Sequence, residues 1–342
     1  MQTGFASLIL VILQLAMGGL IVILLDEVVS KWGFGSGISL FIAAGVGSQV
    51  LVRIISPIAA TCTAFNFASC IPTEGNPPAG LLWNSFIGLF GGRILESFVS
   101  IVPIISTIFI FLLVVYVQHI KVEVPLAFSA LRGFGRNWSL KLLYTSNVPV
   151  ILTAALLANV QLMARIGLHP DPVSGLMCSF LGCFDATQNP VSGLIYYLSV
   201  SGSSFIFDLV TGNFVLNEIF RAITYVSFLT IFSMIFSMFW VTTSGMDAKS
   251  VANQIESAGM QIPGYRRDPR IVESVLSRYI PALSVLGGIT VGFLAGFADL
   301  LGAVGTGTGI LLTVMIIYNY YEELSNQNMD EAHPIIRKLF GA

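Results

Sequence analysis

From Gly4 to Leu25 the chain reads GFASLILVILQLAMGGLIVILL, without one charged side chain. A run of that length lets a helix cross the roughly 30 Å hydrocarbon core of a bilayer, where no water is present to satisfy exposed backbone groups. Comparable windows recur at 36–56, 97–118, 147–166, 217–241, 280–299 and 303–321, which makes seven expected spans. Across all 342 residues, 55% are hydrophobic and 10% charged, and the mean hydropathy is +0.85. Soluble domains carry about 25% charged residues. The expected fold class is therefore all-α, a polytopic membrane helix bundle. No basic segment precedes the first window, so it reads as a retained span and not as a signal peptide.

The second window is the weakest, because Ser36, Ser39 and Arg53 dilute it. A helix of that kind belongs inside a bundle or beside a water-filled path. Lys and Arg choose the orientation, since cytoplasmic segments accumulate them. With the N-terminus outside, the inner segments hold Lys31, Lys121, Arg132, Arg136, Lys141, Lys249, Arg266, Arg267, Arg270, Arg278, Arg337 and Lys338. The outer ones keep Arg53, Arg93, Arg165 and Arg221, so twelve of the 16 basic residues lie inside. The expected topology is seven spans, N-terminus out and C-terminus in.

All four cysteines then fall in the two external loops, 57–94 and 167–216. The simplest of three connectivities is Cys62–Cys70 with Cys178–Cys183; four free thiols are the alternative. Neither loop has the spacing of a metal site. The internal loops, 119–146 and 242–279, are basic, and in the second AKSVANQIESAG and DPRIVESVLSRY have helical periodicity. Such a loop reads either as a positive-inside anchor or as a structured docking site for an anionic partner.

Catalysis inside the membrane would need a buried nucleophile with a base, or an acid pair. The three histidines, His119, His169 and His333, lie at span ends or in loops, and Ser36 and Ser39 have no base beside them. Asp299 sits at a span end, where a structural role is the ordinary one. No P-loop pattern is present, and no cofactor is expected. An ion-coupled secondary transporter of a small solute is the rival reading; it would depend on Asp299 or Arg53, yet the span middles are nearly bare of charge. Gly288, Gly292 and Gly296 recur every four residues and predict close helix contact.

Four ordered segments carry a specific resemblance: LDEVVSKWGFGSGISLFIAAGV, KVEVPLAFSALRGFG leading into LLYTSNVPVILTAALLANVQL, FWVTTSGMDAKSVANQI with GYRRDPR, and GAVGTGTGILLTVMIIYNYYEEL. Together they resemble SecY, the protein-conducting channel subunit, in its archaeal form, which is close to the eukaryotic alpha subunit. The resemblance implies that the seven spans correspond to spans four to ten of a ten-span fold, the chain being an N-terminally truncated portion. It divides the chain into 1–57, spans four and five with a cytosolic turn; 58–96, an external loop; and 97–342, the C-terminal half.

The same resemblance implies a passive conduit, not an enzyme, that moves secretory polypeptides across the plasma membrane and releases transmembrane helices into lipid. Ile38, Ile42, Ile151 and Leu312 would form the pore ring, whose branched apolar side chains close without offering hydrogen bonds. Asn147 matches a polar lateral-gate position. Arg266 matches the key arginine of the second cytosolic loop, with Arg267, Arg132, Arg136 and Lys141 supporting. The implied partners are a SecE-like gamma subunit, a small beta or SecG-like subunit, the ribosome, signal sequences and membrane lipids.

Overall fold

The computed structural model describes residues 5–32, 36–58, 72, 78–92, 94–128, 135–145, 147–166, 168–170, 176–185, 188–200, 216–257, 260–261 and 269–331. Uninterrupted apolar runs become long helices: α1 (Phe5–Trp32), α2 (Gly37–Ile55), α4 (Ile94–Gln118), α5 (Val148–Arg165), α7 (Leu216–Thr243), α9 (Pro269–Leu300) and α10 (Gly307–Glu331). Shorter pieces connect them: α3 (Leu81–Phe90), the single turn α6 (Leu194–Tyr197) and α8 (Ala248–Ser257). The AKSVANQIES segment is α8 and PRIVESVLSRY forms the first turns of α9, both helical as their periodicity predicts.

Among the described residues six helices are long and apolar enough to cross a membrane: Ile9–Lys31, Gly37–Ile55, Ser97–Gln118, Val148–Arg165, Asn217–Thr243 and Arg270–Leu300. The seventh expected span, 303–321, falls mostly on α10, which is not among the six. Its apolar half ends at Ile317, and Tyr318, Asn319, Tyr320, Tyr321, Glu322 and Glu323 follow. That composition suits a helix enclosed by others. Leu311 and Met315 are fully buried in the main core, with Val291, Leu294, Ala295 and Ala298 of α9, Ile110 and Val114 of α4 and Ala43 of α2.

Gly288, Gly292 and Gly296 bring α9 against α7 as expected. A Cβ on Gly292 would lie 2.7 Å from the Leu229 carbonyl oxygen, and one on Gly288 would lie 2.8 Å from the Met234 Cα. At the opposite extreme α1 packs chiefly against α2, and of its described side chains only Asp26 and Val29 are partly covered.

Two small sheets interrupt the bundle, and an all-helical reading does not anticipate them. In the first basic loop β1 (Lys121–Phe128) and β2 (Gly135–Lys141) form an antiparallel hairpin with Lys121 opposite Lys141. From the second basic loop β7 (Met260–Gln261) pairs with the far end of β1. Pro125 lies opposite Asn137, in the part of β1 whose other edge β7 does not reach, so its missing N–H breaks no ladder. The second sheet, β3 (His169–Pro170), β4 (Met177–Ser179), β5 (Gly182–Phe184) and β6 (Pro190–Gly193), occupies the loop after α5 in that order. Cys178 and Cys183 are cross-strand partners and form a disulfide. Cys62 and Cys70 lie outside the described residues.

Candidate functional site

The sequence LDEVVSKWGFGSGIS changes direction between α1 and α2, and Asp26 fixes the turn. Its Oδ1 accepts the Ile38 N–H at 2.9 Å and the Ser36 hydroxyl at 3.3 Å, so a residue one helix away caps α2. Gly37 is required there, because a Cβ would stand 2.9 Å from the Asp26 Cα. The Tyr320 hydroxyl of α10 donates to the Ser36 carbonyl at 2.7 Å and ties the turn to the buried helix.

Beside this turn lies a cavity of about 600 Å³ lined by Ser36, Ser39, Gln118, Lys141, Leu143, Tyr144, Asn147, Met315, Ile316, Asn319, Tyr320, Glu322 and Glu323. It is walled by the start of α2, the end of α4, the segment joining β2 to α5, and the second half of α10. Ile38, Ile42, Ile151 and Leu312 do not line it. They sit within about one helical turn of residues that do.

The structure brings two of these four together: Leu312 is 8% exposed in the main core, and Ile42 packs partly buried against that core. Ile38 and Ile151 are exposed, on α2 and α5. Asn147 is 8% exposed, lines the cavity and occupies the N-cap position of α5 without a capping side-chain bond.

Lys141, one of the docking candidates, is partly exposed beside α10. Its ammonium meets Glu322, and Lys121 reaches the same carboxylate at 3.0 Å, so the base of the hairpin is clamped to α10. The register that sets the two lysines opposite each other produces this clamp. Burial alone would raise the Glu322 carboxyl, but the two lysines outweigh it and hold it below the ordinary glutamate value. Tyr144 adds a second link, donating to the Met246 carbonyl at 2.9 Å in the turn before α8. That turn is capped by Asp247, whose carboxyl the Ser250 hydroxyl and N–H hold below its usual range. Arg136 lies on β2 opposite Leu126, and Arg132, Arg266 and Arg267 fall outside the described residues.

At the other end of α10, Asp299 has the structural role expected of it. Its Oδ1 accepts the Gly307 N–H at 2.6 Å and its Oδ2 accepts the Tyr225 hydroxyl at 2.8 Å. The GAVGTGTG stretch is therefore a capped turn between α9 and α10. Thr107 fastens it to α4, accepting the Val304 N–H at 2.8 Å while donating to the Pro103 carbonyl at 2.7 Å. Arg53 is exposed and lines a separate cavity of about 510 Å³ with Ser48, Gln49, Val52, Gly305 and Thr306. Among the described residues no group of His, Cys, Asp and Glu could hold a metal ion.

The SecY family model matches residues 1–321. The chain belongs to the SecY family. The protein translocase subunit SecY of Pyrococcus furiosus is 43% identical over 352 residues, an alignment covering 99% of this chain and 69% of the relative. Among solved structures, one of a protein-conducting channel superposes with a TM-score of 0.74 at 39% identity, covering 98% of this chain and 68% of that one. Sec61 in the canine ribosome-channel complex from the endoplasmic reticulum gives 0.70 at 39% identity, with 98% and 68% covered. SecY membership fits what the helices show by themselves, a multi-pass membrane protein.

Neither the clamp on Glu322 nor the cap from Asp26 was read from the sequence. For the first only the strand was legible, since Val122, Val124, Leu126 and Phe128 alternate with polar or small neighbours; its register and its Glu322 partner were not. For the second no local signal exists, because Asp26 and Ile38 meet only once the chain has turned.

Proposed function

We propose that this chain forms the wall of a protein-conducting channel, a passive conduit for unfolded secretory polypeptides with lateral release of transmembrane helices into lipid. The observation that carries the proposal is the superposition on a protein-conducting channel along 98% of this chain. On this reading α1 and α2 correspond to spans four and five of a ten-span fold, joined on the cytosolic side by the Asp26 turn. Residues 1–57, 58–96 and 97–342 are then the three units expected from the sequence. α10 completes the crossing as the tenth span, its polar end and the C-terminus lying in the cytosol of a plasma membrane.

Ile38, Ile42, Ile151 and Leu312 form the constriction, and Asn147 belongs to the lateral gate. The cavity beside the Asp26 turn is the cytosolic approach to that constriction. The sheet β2-β1-β7 joins the two basic loops, from which Arg132, Arg136, Lys141, Arg266 and Arg267 meet the ribosome. The similarity to Sec61 from a ribosome-channel complex supports that partner. A SecE-like gamma subunit and a small beta or SecG-like subunit complete the assembly.

Ion leak tests the constriction. In membranes holding the chain with its partner subunits, Ile42→Asn together with Leu312→Asn is expected to raise resting ion conductance several-fold, because hydrated polar side chains break an apolar seal. Unchanged conductance, with the variant correctly inserted, removes these residues from the ring.

A further inference from the structure

The hairpin formed by β4 and β5 is placed at a particular height. α5 has 18 residues, about 27 Å of helix and close to the roughly 30 Å hydrocarbon thickness, so its Arg165 end lies at a membrane surface. The hairpin does not stand beyond that end. The Ser179 hydroxyl donates to the Ala164 carbonyl at 2.5 Å, and Leu181 packs against a small core of Ala164, Phe184 and Ile195. The turn Phe180–Leu181 is therefore held beside the last turn of α5, and the disulfide between Cys178 and Cys183 closes the loop directly behind it.

At this height several apolar side chains are exposed. Phe180 is 102% exposed, and Met163 and Ile166 of α5 are 63% and 68% exposed. From Met177 to Phe184 no side chain is charged. The other end of the same strands is polar, a turn through Asp185, Gln188 and Asn189 in which the Asp185 N–H donates to the Asn189 carbonyl. One end of the sheet thus matches lipid and the other matches water.

We propose that this hairpin is an interfacial membrane anchor, with Phe180 entering the phospholipid surface beside the Arg165 end of α5. Phospholipid is the occupant because the turn carrying the fully exposed Phe180 is held at the membrane-surface end of a helix that crosses the membrane. Aromatic side chains also collect at that depth, where an apolar ring meets a wet boundary. The inference rests on α5 being a span and is independent of what the channel conducts.

The test places the photoreactive residue p-benzoylphenylalanine at position 180, and separately at position 188, in the intact membrane-embedded protein. Phe180 touches nothing that its replacement could disturb, and a mobility shift on reduction reports that the disulfide has formed. After irradiation, mass spectrometry is expected to find phospholipid adducts at position 180 at least several-fold more abundant than at 188. Adducts to another polypeptide at position 180, equal lipid yields at both positions, or no lipid adduct at 180 would overturn the anchor. Independently, Phe180→Trp in vesicles should add emission that brominated phospholipid quenches; emission quenched only by aqueous acrylamide would also overturn it.

Discussion

The carboxylate of Asp26 supplies the cap that Ser36, in the N-cap position of α2, does not provide. Asp26→Ala leaves the Ile38 N–H unpaired and is expected to cost about 1 kcal/mol, the ordinary worth of a lost cap. Hydrogen exchange at the first turn of α2 should then accelerate roughly fivefold, while that of α7 stays unchanged. Half of this arrangement was legible in LDEVVSKWGFGSGIS, where the run of glycines announces a turn. The other half was not, because the need for glycine at position 37 is set by the Asp26 Cα at 2.9 Å, a contact between residues on different helices. Lys141 shows the same limit. In the sequence it is one more positive charge in a basic loop, and only the β-register reveals that it and Lys121 share Glu322.

Among the elements, the hairpin and α10 are joined by that shared carboxylate. The folded-state value of Glu322 is depressed, so its contribution is present above the ordinary glutamate value of 4.5 and is lost as pH falls through the lower, folded one. The pair is partly exposed, which limits each bridge to roughly 0.2–1 kcal/mol. Hydrogen exchange in β1 and β2 is expected to rise only in that acid range, and Glu322→Gln should produce the faster exchange already at neutral pH. A hairpin indifferent to both changes would show that β-pairing alone holds it. The contact of α7 with α9 predicts a larger effect. Gly292→Ala puts a methyl 2.7 Å from the Leu229 carbonyl oxygen, and overpacking of this kind costs about 1–3 kcal/mol. Thermal unfolding in detergent should shift down by several degrees. This interface was readable beforehand from Gly288, Gly292 and Gly296, since a four-residue repeat is a local pattern. The sheet β2-β1-β7 was not, because its third strand comes from the other basic loop.

At the scale of the molecule, the two basic loops share the sheet β2-β1-β7, and the proposed ribosome contact belongs to both loops together. Arg266→Glu with Arg267→Glu is expected to weaken ribosome binding at least tenfold and to flatten its salt dependence, since contacts to phosphate release counterions. Binding that persists unchanged would leave the loops as a topological anchor. Hydropathy made the bundle legible because six helices carry their spanning character in composition alone. It did not foretell how α10 differs from them, since a helix surrounded by protein is selected for its fit to neighbours and not for its affinity to lipid.

The glycine-lined seam between α7 and α9 also limits how such a bundle can move. Where two backbones touch, no side chain is available to swing aside, so these helices form a single plank that tilts as a unit. Whatever widening admits a polypeptide must then come from hinges elsewhere, at boundaries where branched side chains can change rotamer while the plank serves as the fixed frame.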